Sequence, residues 1–430
     1  MWTSSKKHYT EMKNTIVKTF ISRFLILILN FGLVIYSTNM WGSEGKGVIS
    51  MVIADLTIIG FFSNIFVGSS VTYFASKYKT EQILLYAYLW SILIGIFVPV
   101  IFSIIRPVEY LGYLICLSVF SSLLAANINL FVGKQNIRMF NLFTILQQLV
   151  HIVFILAIIY IIGITSVSAY FLAQTECYAF LFFLSSFLLL RRCKMANVSF
   201  SVPIRNTMFN YGWKIQLSSF LQFLNNRLSF YFLEYYKGIV SVGIFSIGVA
   251  FSEAIWTVSR SLAIVLYSDL VNDENENVAI EKTKISLRIS FFTTLLFIAG
   301  ILLLPAQFYV MIFGSDFHQT KQIILLLSPG ILAIATSNII GYYFAGINKL
   351  RILNAKSLIG VVFTIISSFY IIPRWGITGA CIVTSISYCL SSALLFWKFY
   401  QITEFHIQDF FISKNEFQIL LNKLSKNRMK

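Results

Sequence analysis

Residues 24–62 read FLILILNFGLVIYSTNM (24–40), WGSEGKG (41–47) and VISMVIADLTIIGFF (48–62). The flanking runs are almost wholly apolar, and the seven residues between them hold three glycines, one acid and one base. A helix needs about 20 apolar residues to cross the hydrocarbon core of a bilayer. The stretch therefore reads as helix, turn and helix across a membrane. The basic residues Lys6, Lys7, Lys13 and Lys18 precede the first run, which is too long for a signal-peptide core and ends on no A-x-A cleavage pattern, so it is expected to be retained.

Working outward, the same alternation of apolar run and polar break gives twelve expected spans. They lie near 15–38, 47–75, 82–105, 108–132, 141–162, 167–190, 211–235, 241–268, 285–304, 320–345, 352–372 and 377–400. Clear breaks are Trp41 to Gly47, Arg106-Pro107, Arg191 to Lys194, Asn272 to Glu276 and Pro373 to Gly376; the break at Gly163 to Ser168 carries no charge. Composition agrees with a membrane home. Of the 430 residues 57% are apolar and 12% charged, against roughly 25% charged in soluble domains. The expected class is an all-α polytopic membrane protein. The five cysteines form no C-x-x-C pair, the four histidines have no metal-ligand spacing, and no nucleophile-elbow, phosphate-loop or dinucleotide motif occurs. No enzyme, metal or cofactor is expected.

Lysine and arginine test the count, because positive residues are retained in short cytoplasmic loops. Alternate loops from the N-terminus hold 26 of the 33 basic residues. The opposite loops hold Lys46, Arg106, Lys237, Lys321 and Arg374, while Arg227 and Arg260 fall inside spans. Both termini are expected on the cytoplasmic face. A miscounted span would scramble this alternation from the error onward. Most of the net charge of +16 is therefore topology, and no nucleic-acid partner is expected.

The chain also matches itself. Phe131, Gly133, Arg138 and Asn141 match Phe344, Gly346, Arg351 and Asn354 at an offset of 213, which also carries Gly163-Ile164-Thr165 onto Gly376-Ile377-Thr378. Gly47, Ser50 and Ala54 match Gly243, Ser246 and Ala250 at an offset of 196. Ordered matches at equivalent topological positions point to two six-helix repeats in parallel orientation. Such transporters bind substrate between the halves. The expected organisation is an N-lobe (12–190), a cytoplasmic linker (191–210), a C-lobe (211–400) and a basic tail (401–430), which reads equally as an amphipathic helix or a soluble segment.

Ionisable groups inside spans cost about 2.5–3.5 kcal/mol each if they face lipid. Arg23, Asp55, Arg227, Glu253 and Arg260 lie on the first two helices of the two halves, and Glu253 and Arg260 share a face two turns apart. Together they read as the lining of one polar cavity. Bland readings stand beside this: Arg23 and Arg260 can snorkel to nearby headgroups, Arg227 can be a structural ion pair, and Asp55 and Glu253 can simply neutralise arginines. Glu176 and His151 read as internal hydrogen-bonding groups. Three arginines against two acids suit an anion, and guanidinium binds phosphate in a bidentate fork while staying charged.

With Trp41-Gly42-Ser43-Glu44-Gly45-Lys46-Gly47, Asn225-Asn226-Arg227, Val242-Gly243-Ile244-Phe245-Ser246 and Trp375-Gly376-Ile377-Thr378-Gly379-Ala380 in view, the chain resembles the polysaccharide transporters of the multidrug/oligosaccharidyl-lipid/polysaccharide exporter superfamily. The resemblance spans about residues 12–400. It departs from the family where Asn226-Arg227 replaces a frequent Asp-Arg. It implies two lobes rocking around a cationic cavity in the bacterial cytoplasmic membrane, and a flippase for repeat units of O-antigen, capsule or lipopolysaccharide. Arg23, Arg227 and Arg260 would bind the pyrophosphate of an undecaprenyl-pyrophosphate-linked oligosaccharide. Asp55 and Glu253 would tune the cavity or couple a sodium ion or proton. The partners implied are that lipid-linked oligosaccharide, membrane lipid, a polysaccharide polymerase and a chain-length regulator. A cation-coupled multidrug exporter and a membrane-embedded polymerase or ligase are the alternatives.

Overall fold

A computed structural model describes residues 2–191, 202–272, 276–347 and 349–403. They form helices and, among the described residues, no strands: α1 (Trp2–Val67), α2 (Ser69–Phe74), α3 (Thr80–Ile105), α4 (Leu111–Gly133), α5 (Ile137–Ala157), α6 (Ser168–Leu190), α7 (Val202–Lys237), α8 (Ile239–Asn272), α9 (Glu276–Leu303), α10 (Ala306–Phe313), α11 (Thr320–Gly346) and α12 (Leu350–Thr403). Nine of them are long and apolar enough to cross a membrane. Two of the nine, α1 and α12, each join two spans through one non-helical residue, Gly42 and Gly376. With the more polar α7 added, the twelve expected spans are all present as helices.

The turns are tighter than expected. Residues 43–47 are already helical, so the turn at Trp41 to Gly47 shrinks to Gly42 alone, whose φ of 62° is easily adopted only without a Cβ. A second glycine completes the device: a Cβ at Gly45 would stand 2.3 Å from Trp41 Cβ. The turn at Trp375-Gly376 repeats it, with φ 54° at Gly376 and a Cβ at Gly379 falling 2.9 Å from Ile371 O. The uncharged break also forms, where a π-helical turn, Ile158–Ile162, ends on Gly163 at φ 85°. The expected second span 47–75 is corrected: its helix ends at Val67, and Gly68 separates it from α2.

Backbone geometry bears out the repeat. Gly42 and Gly238 both have left-handed φ and are related by the offset of 196; Gly163 and Gly376 do the same at 213. After the fourth and tenth spans, Asn136 N–H donates to Phe131 O and Lys349 N–H to Phe344 O, both at 2.8 Å and again offset by 213. One close helix crossing obeys the same symmetry. A Cβ at Gly47 would lie 2.1 Å from Ile239 O, and one at Gly243 would lie 1.8 Å from Ser43 O. Each glycine touches the repeat equivalent of its partner's target, so the second and eighth spans cross backbone on backbone about a local two-fold axis.

The chain divides into two compact units, 1–247 with 306–320, and 248–305 with 321–430. In the first, α3 packs on α4, α4 and α5 on α6, and α7 on α1. Lipid is as apolar as leucine, so small and polar residues hold such seams. Ser118 donates to Gly95 O (2.6 Å), and Asn127 donates to Ser185 (2.8 Å) and Ser186 (2.9 Å). In the second unit Gly330 N–H donates to Ser385 Oγ (2.9 Å) and Ser387 to Gly360 O (3.0 Å). Large apolar side chains such as Phe97, Ile104, Leu296 and Phe369 are exposed, as a lipid-facing surface requires.

Gly42 leaves the next helix with unpaired N–H groups at its start. The short turn Ser315–Phe317, which follows α10 within the first unit, supplies the cap. Asp316 Oδ2 accepts from Ser43 N–H (3.1 Å) and Ser43 Oγ–H (2.7 Å), and Asn39 Nδ2 donates to Ile312 O (2.6 Å). These bonds hold the Asp316 carboxyl below its usual range.

Gly243→Ala must push a methyl group into Ser43 O and should destabilise by about 3 kcal/mol, the upper end for overpacking. Gly60→Ala meets nothing within 4 Å and should be neutral or stabilising by up to about 1 kcal/mol; thermal melts of the two variants in detergent compare them. Because the Asp316 pKa is lowered by folding, its stabilisation is present above the unfolded pKa of about 3.9 and lost as pH falls through the lower folded value. The melting-temperature advantage of the wild type over Asp316→Asn should therefore shrink on acidification below about pH 4.

Candidate functional site

Four polar side chains of the first unit converge from three helices. Asp55 projects from the second arm of α1, Arg106 caps the C-terminus of α3, and Tyr231 and Glu234 sit one turn apart on one face of α7. The Arg106 guanidinium bridges both acids, pairing with Asp55 Oδ2 through one terminal nitrogen and with Glu234 Oε2 at 2.7 Å through the other. Tyr231 donates to Asp55 Oδ1 at 2.9 Å, and its ring lies 5.5 Å from the guanidinium carbon. Asp55 is almost fully enclosed, with 2% of its side chain exposed, while Arg106 and Glu234 are about a third exposed at 27% and 30%. Arginine remains protonated in such surroundings, so one cation holds two carboxylates, and opening the bridge would release acids able to take up a proton or a cation.

The expected residues divide between the two units. Asp55 and Arg227 belong to the first, Glu253 and Arg260 to the second. Asp55 is paired with Arg106, an arginine that the loop count had set among the residues of the opposite face. Arg227 is half-buried on α7, its guanidinium 4.9 Å from the Phe230 ring centroid, beside buried Asn225 and an Asn226 whose buried Oδ1 has no hydrogen-bond partner among the described residues. Glu253 is half-buried and Arg260 exposed on α8, on a shared helical face. Arg23 lies in α1, and its side chain falls outside the described residues.

Two sequence readings need correction. Glu176, expected to be internal, is exposed, whereas His151 is buried against Tyr170 at 4.9 Å. Lys356, grouped with a cytoplasmic loop, lies inside α12 and is only 6% exposed. Arg106 lies in the loop where it was expected, just past the end of α3, and its pairing with two acids is what the count did not show. Tyr231 and Glu234 were missed altogether. Their spacing on one helical face was readable, but the bridge of Glu234 to Arg106 spans 128 positions and the bond of Tyr231 to Asp55 spans 176, and both exist only in the fold.

Removing Arg106 leaves Asp55 buried and unpaired, so Arg106→Ala should destabilise by about 3 kcal/mol. Asp55→Asn/Arg106→Gln should cost clearly less than the sum of its single variants, because the pair is coupled. Equilibrium unfolding of the four proteins in detergent measures that coupling directly.

No protein-family profile matches the chain. It is 27% identical over 180 residues to the capsular polysaccharide biosynthesis protein CapF of Staphylococcus aureus, a match covering 40% of this chain and 44% of that protein. Solved structures resemble it over nearly the whole length. A MATE-family multidrug resistance transporter of the MOP superfamily in an inward-facing conformation has a TM-score of 0.72 at 16% identity, covering 91% of this chain and 98% of the other. The lipid II flippase MurJ in an inward closed conformation has a TM-score of 0.73 at 14% identity, covering 92% and 88%. A MOP superfamily transporter from Pyrococcus furiosus has a TM-score of 0.63 at 15% identity, covering 91% and 96%. With twelve spans in two sequence-related halves, the chain has the fold of the MOP-superfamily membrane transporters.

Proposed function

We propose that the chain is a flippase that moves an undecaprenyl-pyrophosphate-linked oligosaccharide across the cytoplasmic membrane by alternating access, for synthesis of capsule, O-antigen or a related surface polysaccharide. The carrying observation is the coincidence of a MOP-superfamily fold with sequence similarity to a capsular polysaccharide biosynthesis protein. Fold similarity alone does not choose between drug and lipid substrates, since the MATE transporter and the lipid II flippase score almost equally. The reading is of transport without a covalent step, by an N-lobe (12–190) and a C-lobe (211–400) with both termini cytoplasmic.

In this reading Arg227 is the principal anion-binding residue, with Arg23 and Arg260 as further contacts to pyrophosphate or acidic sugars. The half-buried position of Arg227 among amides and beside Phe230 supports the role, because a guanidinium in low dielectric binds phosphate strongly. Asp55 and Glu253 are the candidates for coupling to a sodium or proton gradient. For Asp55, coupling would require the Arg106 bridge to open during the cycle.

In cells whose surface polysaccharide depends on this chain, Arg227→Ala expressed at the wild-type level should abolish delivery and leave lipid-linked units on the inner face. Labelling of surface polysaccharide together with extraction of the lipid-linked pool measures both. Normal surface polysaccharide would remove Arg227 from the binding site. In proteoliposomes, ion-driven transport of a cationic dye by the purified protein would instead favour a multidrug exporter.

A further inference from the structure

On the flank of the first unit, α3, α7 and the end of α1 line a groove of about 410 Å³, within the range of small-molecule sites. Its floor is aromatic. Phe66 lies 5.0 Å from Trp90 and 6.1 Å from Phe209, ring centroid to centroid, and Trp90 lies 6.2 Å from Phe209. Trp90 is fixed by its Nε1–H, which donates to Phe62 O at 2.9 Å. The rim is open: Leu89 and Leu93 are exposed, on a helix that otherwise turns apolar side chains to lipid.

One end of the groove is cationic. Arg205 stands in the first turn of α7, exposed, and donates through Nε and a terminal nitrogen to Asn206 Oδ1 at 3.3 and 3.2 Å. No ion pair with a carboxylate occupies it among the described residues. From Tyr86, near the start of α3, to Leu93 the groove follows the helix for about 10 Å, away from the guanidinium and into the apolar depth. Charge at the interface and an aromatic channel leading inward are the two halves of a site for an amphiphile. The Lys/Arg distribution assigns this end of α7 to the cytoplasmic leaflet, whose anionic lipids are drawn to basic pockets between helices.

From this juxtaposition we infer that the groove is a binding site for one anionic phospholipid of the bilayer, its phosphodiester on Arg205 and Asn206 and an acyl chain on Phe66, Trp90 and Phe209. The inference does not depend on the flippase reading, because it concerns a lipid held on the flank rather than one transported. A resident lipid here would tie the start of α7 to α3.

Native mass spectrometry of the delipidated full chain, incubated with equal amounts of phosphatidylglycerol and phosphatidylcholine of identical acyl chains, tests it. The wild type should retain one phosphatidylglycerol at about fivefold greater occupancy than phosphatidylcholine. Arg205→Gln should bring the two to equality, Arg205→Lys should keep most of the preference, and Leu93→Trp, which fills the channel, should lower retention of both. Equal retention by the wild type, or a preference unchanged in Arg205→Gln, would overturn the assignment. So would displacement of phosphatidylglycerol by stoichiometric undecaprenyl phosphate, which would make the groove part of the substrate path. If Arg205→Gln melts well below the wild type without lipid, Leu93→Trp decides alone, and undiminished retention in that variant overturns the site.

Discussion

Two glycines set the geometry of the crossing between the second and eighth spans. At Gly47 and Gly243 the neighbouring carbonyls approach to where a Cβ would have stood, 2.1 and 1.8 Å away. In a bilayer nothing resembling the hydrophobic effect drives helices together, so association rests on close van der Waals contact and hydrogen bonding. Missing side chains make that contact possible. The crossing is also self-complementary, since residues at matching places in the two repeats supply both the glycine and the carbonyl. Duplication of one six-span sequence thus provides both surfaces of the contact.

Electrostatics then acts where the glycine turns leave helix ends. Gly42 ends one helix and starts another within one residue, which frees N–H groups that Asp316 accepts with Ser43. Arg106 does the corresponding service for acids, holding Asp55 and Glu234 at once. Both arrangements join segments far apart in the chain, and both lie within the unit that contains the glycine crossing. Low dielectric makes them consequential, because an unpaired carboxylate at the depth of Asp55 would carry a large desolvation cost.

Much of the fold was legible in the sequence because a membrane imposes simple rules. Span length follows from bilayer thickness, and the basic residues mark alternate loops, which was enough for even the uncharged turn at Gly163. The same rule put Arg106 in its loop but grouped Lys356 with one too, because counting treats any cation near a boundary as a loop residue. It cannot register that a long side chain turns back to meet an acid or that a helix begins six positions earlier. At the candidate site, Asp55 stood out as an acid in an apolar run, but its partner did not. Tyr231 and Glu234 attracted no notice because each is unremarkable until Arg106 arrives from another helix.

The sequence by itself determined the number of spans, their alternation, the duplication and the presence of charges that lipid would not tolerate. These are local or periodic properties, set by how each short segment partitions between water, headgroup and hydrocarbon. Only the tertiary structure decided that seven residues of turn are really one glycine, that Gly47 and Gly243 cross backbone on backbone, and that Asp55 belongs to Arg106. Those depend on pairwise contacts between residues scores of positions apart. Hydropathy and charge counts contain no record of which helix lies beside which.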